Sequence, residues 1–430
     1  MLVHIIAYRG FGSRGYAVRL QMVGTMTERV MPPAPLPQDD RPLTGLLVLD
    51  LSQFLAGPAA ALRLADLGAR VIKIERPERG DLGRRLAIAN LELDGDSVLF
   101  HTINRNKESF AADLKDPDDL AAVRALVARA DVLIQNFRPG VMARTGLDYP
   151  SARAINPRLV YGAITGYGDR GPWRDKPGQD LLAQSLSGLT WLSGDADQGP
   201  VPMGLAVADI LAGAHLVQGI LACLVRRGLT GRGGLVEVSL LESVLDLQFE
   251  VFTTHLNDGG LPPQRGTVNS AHAYLAAPYG VYATADGYLA LAMTPIPRLG
   301  ELIGAPELIA CDDPARWFTA RDTIKAILVK RLAERTTADW LAVLEPADVW
   351  CADVLTWMRL RDHDGFRALG MTQRVSRANG ASLETTRCPI RIDGGLLTSA
   401  RGAPAVGDDT ATIRAELCRA ALDVEEDPGS

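Results

Sequence analysis

From Leu46 onward the chain alternates short, almost uninterrupted apolar runs with longer stretches of helical spacing. Leu46–Leu51 is apolar except for Asp50, and Ala69–Ile74, Ser109–Leu114, Asp131–Ile134, Leu159–Ile164 and Leu235–Ser239 follow at intervals. Runs of this length without polar alternation predict parallel strands buried on both faces. Between the first two, Pro58 suits the first helical position, Ala59–Leu67 are good helix formers and Gly68 suits the position after the helix end. That is a βαβ unit, the opening of a Rossmann-like parallel sheet. Further helices are expected over Pro117–Arg129, Leu181–Leu189, Ile210–Val225 and Leu240–Phe252. The run Ile210–Val225 is apolar or small at nearly every position, which predicts a buried helix. Past His255 the pattern changes. A connection rich in glycine and proline leads to Pro278–Ala283 and Tyr288–Ala292, which flank Ala285-Asp286-Gly287 as a β-hairpin. The fold class is therefore α/β, a Rossmann-like large domain over 44–255 with a smaller α+β domain over 262–336. The segment 338–425 is expected to return to the large domain.

Composition sharpens this picture. At 430 residues the chain is too long for one ordinary core. A net charge of -6 argues against nucleic acid or an anionic membrane as the main partner. The five cysteines (Cys223, Cys311, Cys351, Cys388, Cys418) are odd in number and lack C-x-x-C spacing, so neither a disulfide framework nor a metal site is indicated, and a reducing, cytoplasmic setting is expected. No apolar run is expected to reach membrane-spanning length free of polar breaks, because the Asp209 helix ends at Arg226-Arg227. Residues 1–43 differ from the rest. Arg9, Arg14 and Arg19 precede a proline-rich run from Met31 to Arg41, which reads as a flexible extension and linker.

The candidate chemistry centres on Gly204–His215, whose only carboxylate is Asp209. Heading an apolar helix, Asp209 is expected at the N-cap, where free backbone N–H groups and the helix dipole keep it ionised. Walled by Ala206, Ala208, Ala212 and Gly213, an ionised carboxylate is a nucleophile suited to an activated acyl group. The alternative is that Asp209 only caps a core helix. The turn after the first strand lacks G-x-G-x-x-G, which counts against a dinucleotide dehydrogenase, although Glu75 stands where a ribose-binding acid would sit. Arg76, Lys107, Arg138 and Arg144 fall near strand ends, where open α/β sheets bind ligands, and are candidates for the phosphates of a nucleotide-bearing ligand. The glycine-rich Thr165–Trp173 has the make-up of a binding loop or lid.

These segments together resemble the class III CoA-transferases, which include formyl-CoA transferase and carnitine CoA-transferase and are related to α-methylacyl-CoA racemase. The resemblance rests on GLLVLDLSQFLAGP (Gly45–Pro58), ADLGARVIKIE (Ala65–Glu75), NRNKESFAADLK (Asn104–Lys115), ADVLIQNFRPG (Ala130–Gly140), NPRLVYGAITG (Asn156–Gly166), VADILAG (Val207–Gly213) and TGRGGLVEVSLL (Thr230–Leu241), in this order and spacing. It implies that Asp209 attacks an acyl-CoA thioester, giving a mixed anhydride and then an aspartyl-CoA thioester, from which CoA passes to an acceptor carboxylate. It implies CoA contacts from Phe54, Ala56, Arg76, Asn136, Phe137, Arg144 and Lys176, with coenzyme A as substrate rather than as a tightly bound cofactor, and no metal. It also implies an interlocked homodimer. Two departures narrow the reading. Gln179 stands where the racemase branch has a histidine, and glutamine is no acid or base, so racemisation or epimerisation of a 2-methylacyl-CoA is the lesser alternative. His215 and His255 are the nearest histidines in sequence. The loop Arg265–Ala271 lacks the four-glycine run of formyl-CoA transferase, and Leu55 stands where that enzyme has glutamine, which argues against oxalate as acceptor. A CoA-binding protein without turnover is the alternative from outside enzymology.

Overall fold

The computed structural model describes residues 34–426, so the reading of 1–33 as an extension lies outside the described residues. Its centre is a six-stranded sheet: β1 (Leu47–Asp50), β2 (Arg70–Glu75), β3 (Glu108–Ala111), β4 (Val132–Gln135), β5 (Val160–Thr165) and β6 (Gly234–Ser239). The spatial order is β3-β2-β1-β4-β5-β6 and every neighbouring pair is parallel. Val48 of β1, for example, lies opposite Val71 on one side and Val132 on the other. This is the doubly wound order, and its direction of winding reverses between β1 and β4.

Helices cover both faces, which is why the strand sequences are continuously apolar. One face carries α1 (Ala56–Asp66) and α4 (Val207–Thr230), with Ala60, Leu64, Val71, Leu216 and Ile220 in its core. The other carries α2 (Pro117–Arg129) and the C-terminal α9 (Thr410–Glu426), which join Val123, Leu126, Phe110 and Ile413. Asp180–Leu186 forms α3. The helix expected over Leu240–Phe252 is two, α5 (Leu240–Leu247) and α6 (Phe249–Asn257), because Gln248 leaves helical geometry at φ -94°, ψ 12°.

The smaller unit is an antiparallel sheet of β7 (Gly280–Ala283), β8 (Tyr288–Leu291) and β9 (Cys351–Asp353), backed by α7 (Arg321–Leu332) and α8 (Thr337–Leu344). Its core includes Tyr282, Leu299, Leu328 and Trp340. The segment around 338–354, expected to rejoin the large unit, therefore completes the smaller one instead: Trp340 is fully buried in this core and Ala352 pairs with Ala290. The return is made further on: Arg377 pairs with Asp94 and Asp96, Cys388 and Leu397 join the core under α1 and α4, and Ile413 of α9 joins the core on the other face. The end of the expected linker is also fixed. Leu36 N–H donates to Leu396 O at 2.8 Å, and the buried Arg41 donates to Asp66 O and Thr398 O.

Helix α4 departs from expectation in two ways. Ala208, Ala212, Leu216 and Ile220 bury one stripe, while Ile210, Ala214, Gln218 and Leu229 are exposed, so it is not buried all round. Its 24 residues include a window of mean hydropathy 1.7, long and apolar enough by length and composition alone to cross a membrane, since the charged residues lie near its two ends. In the fold it lies along β5, β6 and α1 instead. Its approach to α1 is set by Gly213, where an added Cβ would fall 2.8 Å from Ala56 O. A helical glycine replaced by alanine ordinarily gains about 1 kcal/mol. Here the sign reverses: Gly213→Ala is expected to destabilise by about 1–3 kcal/mol through overpacking, read from urea unfolding.

Candidate active site

Asp209 sits in the first turn of α4 as its third residue, so it is not the N-cap that its sequence position suggested. The residue at the cap is Ala206, which contributes no side-chain hydrogen bond. Asp180, the first residue of α3, caps from outside: its Oδ1 accepts from Ala208 N–H at 2.7 Å. Its Oδ2 accepts from Gln184 Nε2 at 2.7 Å. Gln184 Nε2 also donates to Leu205 O at 3.0 Å, and its Oε1 accepts from Met203 N–H at 3.0 Å. Gly213, whose added Cβ would meet Ala56 O, lies one turn beyond Asp209 on the same side of α4.

The electrostatics oppose the full ionisation expected of Asp209. Burial, and secondarily the like charge of Asp180, push the Asp209 carboxyl up to about 7. The helix dipole, a surface-scale effect of about 0.3–1 kcal/mol, does not offset the desolvation. Near neutral pH the protonated and ionised forms therefore coexist. Among the described residues Asp209 makes no ion pair.

Two lysines and three acids beneath this edge are consumed by one another and by Arg84. Lys73, wholly buried in β2, lies 2.7 Å from Asp81 Oδ2 and 3.8 Å from Asp50 Oδ2, and donates to Ser52 O at 2.8 Å. Lys107, placed among the phosphate candidates, is fully buried and donates to Asp50 Oδ2, Pro58 O and Asn104 Oδ1 at 2.8–2.9 Å. Burial brings its ammonium down to about 8 despite Asp50. It cannot reach a ligand. Glu75, placed where a ribose-binding acid would sit, instead accepts from Arg84 Nε at 2.9 Å, Ser109 Oγ at 2.6 Å and Asp81 N–H at 2.9 Å.

The remaining positions gather at the carboxyl edge of β2, β1, β4 and β5. Phe54, exposed and with φ +66°, follows β1; its N–H donates to Asp81 Oδ1 at 3.1 Å. Ala56 opens α1. Asn136, after β4, stitches the two loops at the winding reversal: it accepts from Gln53 N–H at 2.8 Å and donates to Gln53 O at 2.7 Å. Phe137 follows it, half-buried, and Arg76, Arg138, Arg144 and Lys176 are exposed. The loop holding Lys176 is pinched at its neck, where Gly166 and Gly178 leave no room for a Cβ on either. His215 is occupied by Ser243 Oγ at 3.1 Å and Asp246 at 3.3 Å, and His255 by Leu261 O at 2.8 Å. The loop Arg265–Ala271 is pinned to the segment leading into α4: Arg265 donates to Ser193 O and Gly199 O, and Ser270 N–H to Asp195 Oδ1 at 2.8 Å. Among the described residues no three His, Cys, Asp or Glu side chains cluster as metal ligands. Sequence reasoning missed Asp180, Gln184 and Asp81. Asp180 was visible only as the lead-in to its own helix.

The raised Asp209 carboxyl carries a stability consequence. The folded state holds its proton up to about pH 7, the unfolded state only to about 3.8, so the native protein loses stability as pH rises through that window. Asp209→Asn removes the charge but not the shape. At pH 8 it is expected to stabilise on the order of 2–4 kcal/mol, and at pH 4 hardly at all, by urea unfolding at both values. Equal effects at both pH values would mean the carboxyl is not raised.

Against known proteins, the family profile described as CoA-transferase family III matches residues 43–410. The succinate–glutarate CoA-transferase of Agrobacterium fabrum is 34% identical over 395 residues, 89% of this chain and 97% of that protein. Mouse succinyl-CoA:glutarate CoA-transferase is 31% identical, covering 89% of each chain, and the acetyl-CoA:oxalate CoA-transferase of Acetobacter aceti is 33% identical over 87% of this chain and 96% of its own. A solved CAIB/BAIF family protein from Brucella suis superposes with a TM-score of 0.75 at 33% identity, covering 88% of this chain and 99% of that one. With a match that spans both the parallel sheet and the smaller unit, this chain belongs to CoA-transferase family III.

Proposed function

We propose that this enzyme moves CoA from an acyl-CoA thioester to a carboxylic acid through a covalent intermediate on Asp209. The observation that carries the reading is the contrast at the sheet edge: Asp50, Glu75 and Asp81 are neutralised by Lys73, Lys107 and Arg84, whereas Asp209, half-buried, pairs with no cation among the described residues. A desolvated carboxylate of raised pKa is a stronger nucleophile than one held by a salt bridge. Asp209 Oδ adds to the thioester carbonyl and expels CoA thiolate, leaving a mixed anhydride. The thiolate then attacks the aspartyl carbonyl and releases the donor's carboxylate, leaving aspartyl-CoA. The acceptor carboxylate attacks that thioester, and the returning thiolate takes the acceptor acyl group and restores Asp209. No redox or metal step enters the balance.

Phe54, Ala56, Asn136 and Phe137 surround the winding reversal between β1 and β4, where doubly wound sheets bind nucleotides, and Arg76, Arg144 and Lys176 supply exposed cations around it for the CoA phosphates. The relatives are named for succinate, glutarate and oxalate, and as the Arg265–Ala271 loop and Leu55 argue against oxalate, succinate and glutarate are the first acceptors to test and oxalate the control. A homodimer is also part of the proposal. Ile210, Val225 and Leu229 on α4 and Phe249, Phe252 and Leu256 on α6 are large apolar side chains exposed in the single chain, which a second copy would cover.

The test is peptide mass spectrometry after mixing the enzyme with succinyl-, glutaryl-, acetyl- and oxalyl-CoA and quenching with hydroxylamine. A hydroxamate on the peptide bearing Asp209 is expected. CoA bound with no adduct from any donor would sink the reading. Asp209→Ala is expected to lower kcat by at least about 10³-fold with the fold intact. In the wild type, kcat/KM is expected to rise with pH through a limb near 7, since the protonated carboxyl cannot attack. Sedimentation velocity tests the dimer, and a monomer at micromolar concentration would refute it.

A further inference from the structure

We infer that Gln184 is a positioning residue for Asp209, fixing through Asp180 and the Met203–Leu205 turn both the seat of the α4 head and the like charge that faces the reacting carboxylate. The inference rests on the reading of Asp209 as nucleophile. Gln184 is 2% exposed, and all its bonds point at this one task. Its carbonyl oxygen takes Met203 N–H, and its NH2 divides its two protons between Asp180 Oδ2 and Leu205 O. The reversed amide would set NH2 against an N–H and oxygen against two acceptors, so one orientation is enforced. Asp180 lies one turn before Gln184 on α3, which holds one carboxylate oxygen and leaves the other for Ala208 N–H, the residue beside Asp209. A single buried amide thus ties the turn entering α4, the cap of α4 and the orientation of the neighbouring acid.

The charged surroundings are few. Asp180 on α3 acts on Asp209. The stretch of α1 at the crossing, Ala56–Leu62, has no titratable side chain. On α5, Glu242 is bonded by Ser239 and Asp246 pairs with His215, further along α4. β5 contributes only Tyr161, whose hydroxyl donates to Leu147 O, and β6 only Glu237.

Two variants separate positioning from simple stability. Gln184→Glu removes the NH2 donors and adds a negative charge beside Asp180; the acidic limb of kcat/KM is expected to move up by about 0.5–1 pH unit. Gln184→Met keeps the volume and adds no charge. With Asp180 still bonded to Ala208 N–H, it is expected to move the limb less than the Glu variant does, while kcat falls about tenfold or more and KM for acyl-CoA changes less than threefold, because the α4 head is less firmly held. An unmoved limb in the Glu variant, or a kcat within twofold of wild type in the Met variant, overturns the inference. The wild-type adduct is mapped alongside. An adduct on another residue overturns the Asp209 reading itself, whereas an adduct on Asp209 with an unmoved limb overturns only the role of Gln184.

Discussion

Two helices that begin at the same sheet edge can share one acidic site only if their backbones nearly touch, and Gly213 is where α1 and α4 do. The contact seats the turn of α4 that follows Asp209 against the start of α1, and the start of α1 is the end of the β1 loop that holds Phe54. One missing Cβ therefore relates the carboxylate to the loop around the winding reversal. A second close approach, Gly219 against Val236, seats the middle of the same helix on β6. Helix propensity is sacrificed at both positions for proximity, a local cost that packing offsets.

Beneath that loop the fold buries charge on a scale that needs explaining. Asp50, Lys73, Asp81, Glu75, Arg84 and Lys107 are all nearly inaccessible, and an ion taken from water costs several kcal/mol unless it is paired and hydrogen-bonded. Each is paired. Burial works against ionisation of Asp50, but Lys107 and Lys73 outweigh it and hold the carboxyl below its usual range. Lys73 shows the same contest from the cation's side, with Asp50 and Asp81 raising its ammonium against burial. Asp81 spends one oxygen on Lys73 and the other on Phe54 and Gly83 N–H, so the network reaches the loop after β1 through a backbone amide. Such a network defines a loop conformation, including φ +66° at Phe54, that a non-glycine residue would not choose alone.

The same network explains what the sequence showed and what it hid. The strands were legible because a parallel sheet covered on both faces must be apolar at every position. Asp209 was legible as the one acid heading a long apolar run. Lys107 and Glu75 were misread because a charge at a strand end looks alike whether it faces solvent or a counter-ion 57 or 9 residues away. Asp180 was missed for a related reason: it caps a helix whose first turn is 28 residues downstream, a relation set by the path between α3 and α4 rather than by local spacing. The misplacement of the 338–354 segment has the same root, since Trp340 announces burial without naming the core it enters.

A carboxylate that attacks a thioester must be both charged and poorly solvated, and these demands oppose each other. The fold meets them by distribution. Its cations are spent beneath β1, on Asp50, Asp81 and Glu75, and none pairs with Asp209. Had Lys107 paired with Asp209 instead, the carboxyl would be held low and always ionised, but its electron pairs would be committed to the ammonium. Burial with only another acid nearby leaves it basic enough to attack and, at about 7, still substantially ionised near neutrality. Under the proposed role of Asp209, the instability of an unpaired, poorly solvated acid becomes part of the chemistry: the free energy withheld from folding at this one group is what would leave the carboxylate reactive.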